Sequence, residues 1–91
     1  MPKKEISKSS DANLYEVLAQ LIVQTRESQH LGQAKVSNVL GESRNFMFKT
    51  ENMQRRFDVV ELYRFAKALS IDPVELFSKF VQLADATSPA E

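Results

Sequence analysis

The chain has 91 residues, enough for one domain with a small core and too few for a second domain. Twelve basic and twelve acidic side chains give a formal net charge of zero, which excludes binding to nucleic acid through bulk positive charge. The chain contains no cysteine, so disulfides and thiolate metal sites are excluded, and a cytoplasmic location is compatible with that composition. No apolar run approaches the roughly 20 residues that a membrane span needs.

The first ten residues, MPKKEISKSS, are polar, contain three lysines and show no periodic apolar face. We predict a flexible basic arm over residues 1–10, which either follows DNA phosphates or is simply solvated. A helical domain is expected over residues 11–86, followed by a frayed polar tail over 87–91.

A first long helix is predicted over about residues 12–28, with Ser10 or Asp11 as its cap. Its apolar residues follow helical spacing and predict a core-facing stripe of Leu14, Val17, Leu18, Leu21 and Ile22. Residues 28–32 then form a linker.

The next stretch, QAKVSNVLGESRNFMFKTE, covers residues 33–51 and predicts two short helices joined by a tight turn. The first helix ends at Gly41, which enters the left-handed region without a Cβ clash. Ser43 can cap a second helix about two residues later, and this forces a sharp corner. At helical spacing, Met47 and Thr50 point inward. The long or donor-rich side chains fall on the outer side: Arg44, Asn45, Phe48 and Lys49.

Residues 52–56 are predicted to form a loop. Two capping motifs then predict where the next two helices begin. The motifs DVVE at 58–61 and DPVE at 72–75 both place Asp at the cap and Glu three residues later. A core stripe follows at Leu62, Phe65, Ala66 and Leu69. The chain is therefore predicted to be all-α with five helices.

The last helix is predicted to continue to about Ala84 and to carry more apolar surface than a small core needs. This surplus suggests a two-fold dimer interface, and the alternative is that the helix folds back on its own core. The residues expected at the interface are Phe77, Phe80, Val81 and Leu83.

Residues 33–51 resemble the Xre-type helix-turn-helix of phage repressors and Cro proteins. The likeness lies in Gln33 opening the first helix, Gly41 in the turn, Ser43-Arg44, and Lys49 followed at the second place by Glu51. It continues through RRFDVVELYRFAKALSIDPVELF at 55–77 and covers roughly residues 14–80. The resemblance implies a lambda-repressor-like DNA-binding domain whose second motif helix lies in the major groove.

The resemblance implies a role for each polar residue of the motif. Contacts to base edges are expected from Arg44, Asn45, Phe48 and Lys49, since Arg suits guanine and Asn suits adenine. Contacts to DNA phosphates are expected from Gln33, Ser43, Asn52, Arg55 and Arg56. Arg26 is expected to form a structural ion pair with Glu51.

Several residues depart from the pattern of the family that the chain resembles. His30 and Met53 stand where glycine is usual, and Gly32 stands where Ser, Thr or Asn usually caps a helix. Phe46 is expected at the edge of the core, whereas Phe48 is an unusual outward aromatic residue.

The predicted function is a sequence-specific regulator of double-stranded DNA, a homodimeric repressor on a palindromic operator. The alternative is a protein-interaction module, anti-activator or antitoxin-like, that binds a protein partner through Phe48 and Met53. No nucleophile, phosphate loop or metal-ligand cluster indicates an enzyme, a cofactor or a metal site.

Overall fold

The computed structural model describes residues 11–87, and within that range the chain forms five α-helices and no strand. The helices are α1 (Ala12–Ser28), α2 (Gln33–Val39), α3 (Phe46–Glu51), α4 (Val59–Ala68) and α5 (Pro73–Thr87). The all-α, five-helix prediction is confirmed. The predicted arm over 1–10 lies outside the described residues, and so do positions 88–91. Position 87, assigned to the tail from sequence, is helical.

The core lies where α1 packs against α3 and α5, with α2 packing on α3 and α4 on α5. Leu21 and Ile22 of α1 are buried in it, as the periodicity predicts. Leu14, at the start of the same stripe, is 36% exposed because the first turn of α1 extends beyond the buried core. None of the described helices is long and apolar enough to cross a membrane.

Three phenylalanine rings join the loop after α3 to the centre of the core. Phe65 of α4 is wholly buried and meets Phe57 edge-on, with ring centroids 6.1 Å apart. Phe57 in turn lies 6.4 Å from Phe46 at the start of α3. Phe46 is therefore a core residue, and its ring connects the start of α3 through Phe57 to Phe65 of α4.

The predicted caps begin α4 and α5, though not in the same way. At α4 the capping box is complete: Asp58 Oδ1 accepts from the Glu61 N–H at 2.8 Å, and Glu61 Oε1 accepts from the Asp58 N–H at 3.0 Å. At α5, Asp72 Oδ1 accepts from the Val74 N–H at 3.0 Å. Both helices therefore start where the Asp residues predict.

Helices α1 to α4 each end two residues before a residue in the left-handed conformation. These residues are His30, Gly41, Met53 and Ser70, with φ between 59° and 73°. After α3, for example, the Gln54 N–H donates to the Lys49 carbonyl at 2.8 Å and the Met53 N–H donates to the Thr50 carbonyl at 3.2 Å. This is the Schellman arrangement, in which one left-handed residue satisfies the last carbonyls of a helix.

Candidate nucleic-acid interface

The corner between α2 and α3 is held by side chains that meet inside the molecule. Val36 of α2 and Met47 of α3 are both wholly buried. The Phe46 N–H donates to the Ser43 carbonyl at 3.0 Å, so Arg44 and Asn45 form a turn and α3 begins only at Phe46. The prediction that this helix starts at Ser43 is therefore wrong. Arg44 and Asn45 belong to a turn that precedes the helix, and they do not form its first helical turn.

The cap of α3 comes from the neighbouring helix. Ser37 of α2 is wholly buried, and its Oγ accepts a hydrogen bond from the Met47 N–H at 3.0 Å. The Ser43 hydroxyl, expected to cap this helix, is exposed and makes no such bond within the described part of the chain. Ser37 thus satisfies one of the first N–H groups of α3 and fixes the distance between the two helices.

The outer side of the corner carries the side chains expected to contact base edges. Arg44, Asn45, Phe48 and Lys49 are all exposed, whereas Met47 and Thr50 are buried on the opposite side. Within residues 11–87, neither Arg44 nor Lys49 takes part in an ion pair. The corner therefore presents two cations, one amide and one aromatic ring to the outside.

An ion pair joins the end of α3 to the end of α1. Arg26 Nε lies 2.6 Å from Glu51 Oε2, and Arg26 Nη2 lies 2.9 Å from Glu51 Oε1. Arg26 is 8% exposed, and its Nη1 also donates to the Leu31 carbonyl at 2.8 Å. The hydrogen bond to Glu51 raises the pKa of Arg26 against the opposing effect of burial. The guanidinium is thus charged at any physiological pH, and the pair orients α3.

Gln33, expected at a phosphate, is also part of this arrangement. Its Nε2 donates to Glu51 Oε1 at 2.7 Å. One amide N–H of Gln33 therefore holds Glu51 in place, and a phosphate contact through this side chain has only the second N–H to use.

Arg55 has an intramolecular role that differs from the predicted phosphate contact. Its Nη2 lies 2.7 Å from Glu61 Oε2, and its Nη1 donates to Glu61 Oε1 at 3.2 Å and to Thr50 Oγ1 at 3.3 Å. The guanidinium also stacks over the ring of Phe46 at 4.4 Å. These contacts tie the loop after α3 to α4, and the phosphate contact of Arg55 stays a prediction.

Arg56 and Asn52 keep exposed positions beside the corner. Arg56 is exposed and lies over the ring of Tyr15, 5.7 Å from its centroid. Asn52 is exposed at the end of α3 and donates through Nδ2 to the Phe48 carbonyl at 2.8 Å. Phosphate contacts from both residues stay predictions.

Arg64 of α4 supports the corner and was missed by sequence reasoning. Its Nη2 donates to the Leu40 carbonyl at the end of α2, and its Nη1 lies 3.1 Å from Glu42 Oε2 in the turn. No local pattern marks this residue, because its partners lie more than twenty positions earlier in the chain. It braces the turn that carries Arg44.

Met53 and Phe48, the two residues behind the protein-partner alternative, lie in different surroundings. Met53 lines a groove against α1, together with Ala19 and Val23, and Phe48 is not part of that groove. Met53 has a φ of 60°, and this left-handed conformation explains why glycine is usual at this position in the family. The protein-partner alternative through Phe48 and Met53 stays a prediction.

Two solved structures resemble the chain in both sequence and fold. An XRE-family like protein from Pseudomonas syringae is 32% identical with a TM-score of 0.71, and the match covers 85% of this chain and 89% of that one. The restriction-modification controller protein C.AhdI from Aeromonas hydrophila is 30% identical with a TM-score of 0.62, covering 72% of this chain and 98% of that one. The chain belongs to the XRE family. The resemblance seen in the motif is thus confirmed.

A third solved structure is similar to the chain in fold alone. The hypothetical transcription factor NHTF from Neisseria is 17% identical with a TM-score of 0.66, and the match covers 91% of this chain and 95% of that one. No family model matches the sequence, and no curated protein matches it either. Membership of the XRE family therefore rests on the motif and on the two solved structures that are at least 30% identical to the chain.

Proposed function

We propose that this XRE-family chain is a sequence-specific regulator of double-stranded DNA, acting as a homodimeric repressor on a palindromic operator in the cytoplasm. The observation that carries the proposal is the exposed set Arg44, Asn45, Phe48 and Lys49, on an element whose opposite face is locked in the core. The function is binding rather than catalysis. Among the similar proteins, C.AhdI is a restriction-modification controller protein, which supports a regulatory role.

Each exposed side chain of the corner has a partner in B-form DNA. Arg44 suits the O6 and N7 acceptors of guanine, and Asn45 suits the N6 donor and N7 acceptor of adenine. Lys49, one turn further along α3, reaches a guanine or a phosphate. Ser43, Asn52 and Arg56 surround the corner with donors for phosphate oxygens.

Helix α5 supplies the surface for the dimer. Phe77 is 49% exposed and stacks against Phe80 with ring centroids 5.8 Å apart. Both rings line an apolar groove of about 190 Å³ with Leu18, Phe57 and Leu62, and Val81 lies one turn beyond Phe77. Leu83, predicted at the same interface, lines a different groove between α1 and α5. The proposed interface therefore consists of Phe77, Phe80 and Val81, without Leu83.

The dimer explains how a chain with a formal net charge of zero can bind a specific DNA site. Two recognition helices about 34 Å apart, one turn of B-form DNA, read a palindrome together, and each half-site needs only a few contacts. Repression follows when the dimer occupies an operator that overlaps a promoter.

The test is selection of bound duplexes from a random DNA pool, followed by footprinting and a salt titration on the selected site. We expect a palindrome with half-sites one helical turn apart and a steep decrease of affinity with salt, because phosphate contacts release counterions. Failure to retain any duplex at low salt contradicts DNA binding. Retention of unrelated duplexes with equal affinity contradicts sequence specificity.

A further inference from the structure

Phe48 is an apolar side chain in the middle of a polar surface. It lies one turn after Arg44 and beside Lys49, both of which are exposed. The Phe48 side chain is 46% exposed, and its ring stacks on no other ring within the described residues. Neighbouring Met47 is wholly buried in the core cluster, whereas Phe48 is not among the residues that form this cluster or pack against it. A partner that matches this ring together with the Arg44 and Lys49 cations would offer an apolar group surrounded by acceptors and negative charge.

The major groove of DNA contains one such group. The C5 methyl group of thymine is apolar and projects into the groove beside the O4 acceptor and between the phosphate rows. A protein surface of the same kind would need an apolar knob ringed by acidic side chains, whereas every DNA duplex with thymine provides the arrangement.

The backbone that carries Phe48 is held from both ends. Ser37 Oγ holds the Met47 N–H at 3.0 Å, and Arg26 holds Glu51 at 2.6 Å. The ring therefore leaves the protein from a fixed point with two side-chain torsions to adjust. Such a ring reaches the same place in each complex and can distinguish a methyl group from a hydrogen atom.

We propose that Phe48 recognises the C5 methyl group of a pyrimidine at one position of each half-site. Thymine and 5-methylcytosine are then favoured there over uracil and unmodified cytosine, which makes binding sensitive to cytosine methylation at that position. This inference depends on the proposed DNA-binding function and adds the group that is recognised.

The test uses the duplex recovered by selection. It is resynthesised as a series of duplexes, and in each of them uracil replaces thymine at one position of the half-site and at the equivalent position of the other half-site. Uracil pairs as thymine does and lacks only the methyl group. At one position per half-site we expect uracil to weaken binding about fourfold per methyl group, which corresponds to ~0.8 kcal/mol at 1.4 kcal/mol per tenfold. At the same position, replacing thymine by cytosine should weaken binding, and 5-methylcytosine should bind more tightly than cytosine.

Three variants assign the effect to the ring. Phe48→Ser should bind the thymine and uracil duplexes equally, whereas Phe48→Leu, which keeps an apolar side chain, should retain part of the preference. Val39→Ser removes an equally exposed apolar residue of α2 and should keep the full preference. Circular dichroism melting confirms that each variant is folded.

The outcomes separate this inference from the proposed function. If the wild-type protein binds its selected duplex but tolerates uracil at every position, the inference is wrong and DNA binding stands. The inference is equally wrong if Phe48→Ser keeps the preference. If no duplex is bound at all, both fail, and capture of a protein through Phe48 becomes the better account.

Discussion

Arg44 and Asn45 lie in the turn before α3, at the end of the element that we propose approaches DNA first. The Phe46 N–H closes this turn on the Ser43 carbonyl, and Arg64 of α4 holds the preceding segment through the Leu40 carbonyl and Glu42. Both side chains are exposed. At the scale of single residues, the structure combines a braced backbone with exposed donors, and this combination supports the proposed contact with base edges.

Loss of a base contact should weaken binding to some DNA sequences more than to others, whereas loss of a phosphate contact should weaken binding to all of them alike. Arg44→Ala and Asn45→Ala should each weaken binding to the selected duplex by about 1–3 kcal/mol and relax the preference at one base pair. Arg56→Ala should weaken binding to all duplexes alike. Fluorescence anisotropy on the selected duplex and its single-base variants measures this, and identical behaviour of the three variants would contradict the assignment.

The left-handed residues give a prediction about stability. His30 has a φ of 59°, a conformation that is unfavourable for any residue with a Cβ atom. His30→Gly should raise the free energy of unfolding by about 0.5–1 kcal/mol, since relief of this strain outweighs the greater freedom of glycine in the unfolded chain. His30→Ala keeps the Cβ atom and serves as the control. Equal urea midpoints for the two variants would show that strain at this position is negligible.

At the scale of elements, α3 is only six residues long and depends on its neighbours for stability. Ser37 caps its start from α2, Arg26 holds its end from α1, and Arg55 connects the following loop to α4. Three elements thus determine the orientation of one short helix. The surface that we propose for DNA is rigid for this reason.

Removing Glu51 should destabilise the protein because it leaves the buried Arg26 charge unpaired. We expect Glu51→Ala to lower the free energy of unfolding by about 3–5 kcal/mol. The control is Glu27→Ala, since Glu27 is also near Arg26, at 3.9 Å, but its side chain is 66% exposed and should contribute at most about 1 kcal/mol. The double variant Arg26→Met with Glu51→Leu should recover most of the loss. Urea denaturation measures all three, and equal effects of the two alanine variants would contradict the role of burial.

At the scale of the whole molecule, the apolar surface of α5 is divided between two grooves. Phe77 and Phe80 line one groove beside α4, and Leu83 lines the other beside α1. Phe80 also packs against the core, so part of the helix does fold back on its own protomer. Phe77 and Val81 are exposed and form the surface that we propose for a second protomer.

A charge placed on the first groove should separate the protomers. We expect Phe77→Glu to sediment as a monomer and to lose at least about tenfold in affinity for the palindromic duplex, because the two half-sites are no longer bound together. Leu83→Glu places the same charge on the other groove and should remain dimeric. Analytical ultracentrifugation decides, and a wild-type monomer at micromolar concentration, or dissociation only by Leu83→Glu, would contradict this interface.

The sequence by itself determined the features that depend on neighbours within one or two turns. Apolar spacing and the Asp caps located α1, α4 and α5, and the alternation around Met47 and Thr50 identified the buried side of α3. The motif also identified the family. These features are determined locally because positions three and four apart share a helix face whatever the remainder of the chain does.

Only the tertiary structure decided which partner each polar side chain takes. The cap that Ser37 gives α3, the contacts of Arg64 with the turn and the ion pair of Arg55 with Glu61 all depend on how separate elements pack. The same holds for Leu83, which shares a helix with Phe77 but lies on a different groove. A hydrogen bond or a packed surface between elements depends on their relative position in space, which no local pattern of residues contains.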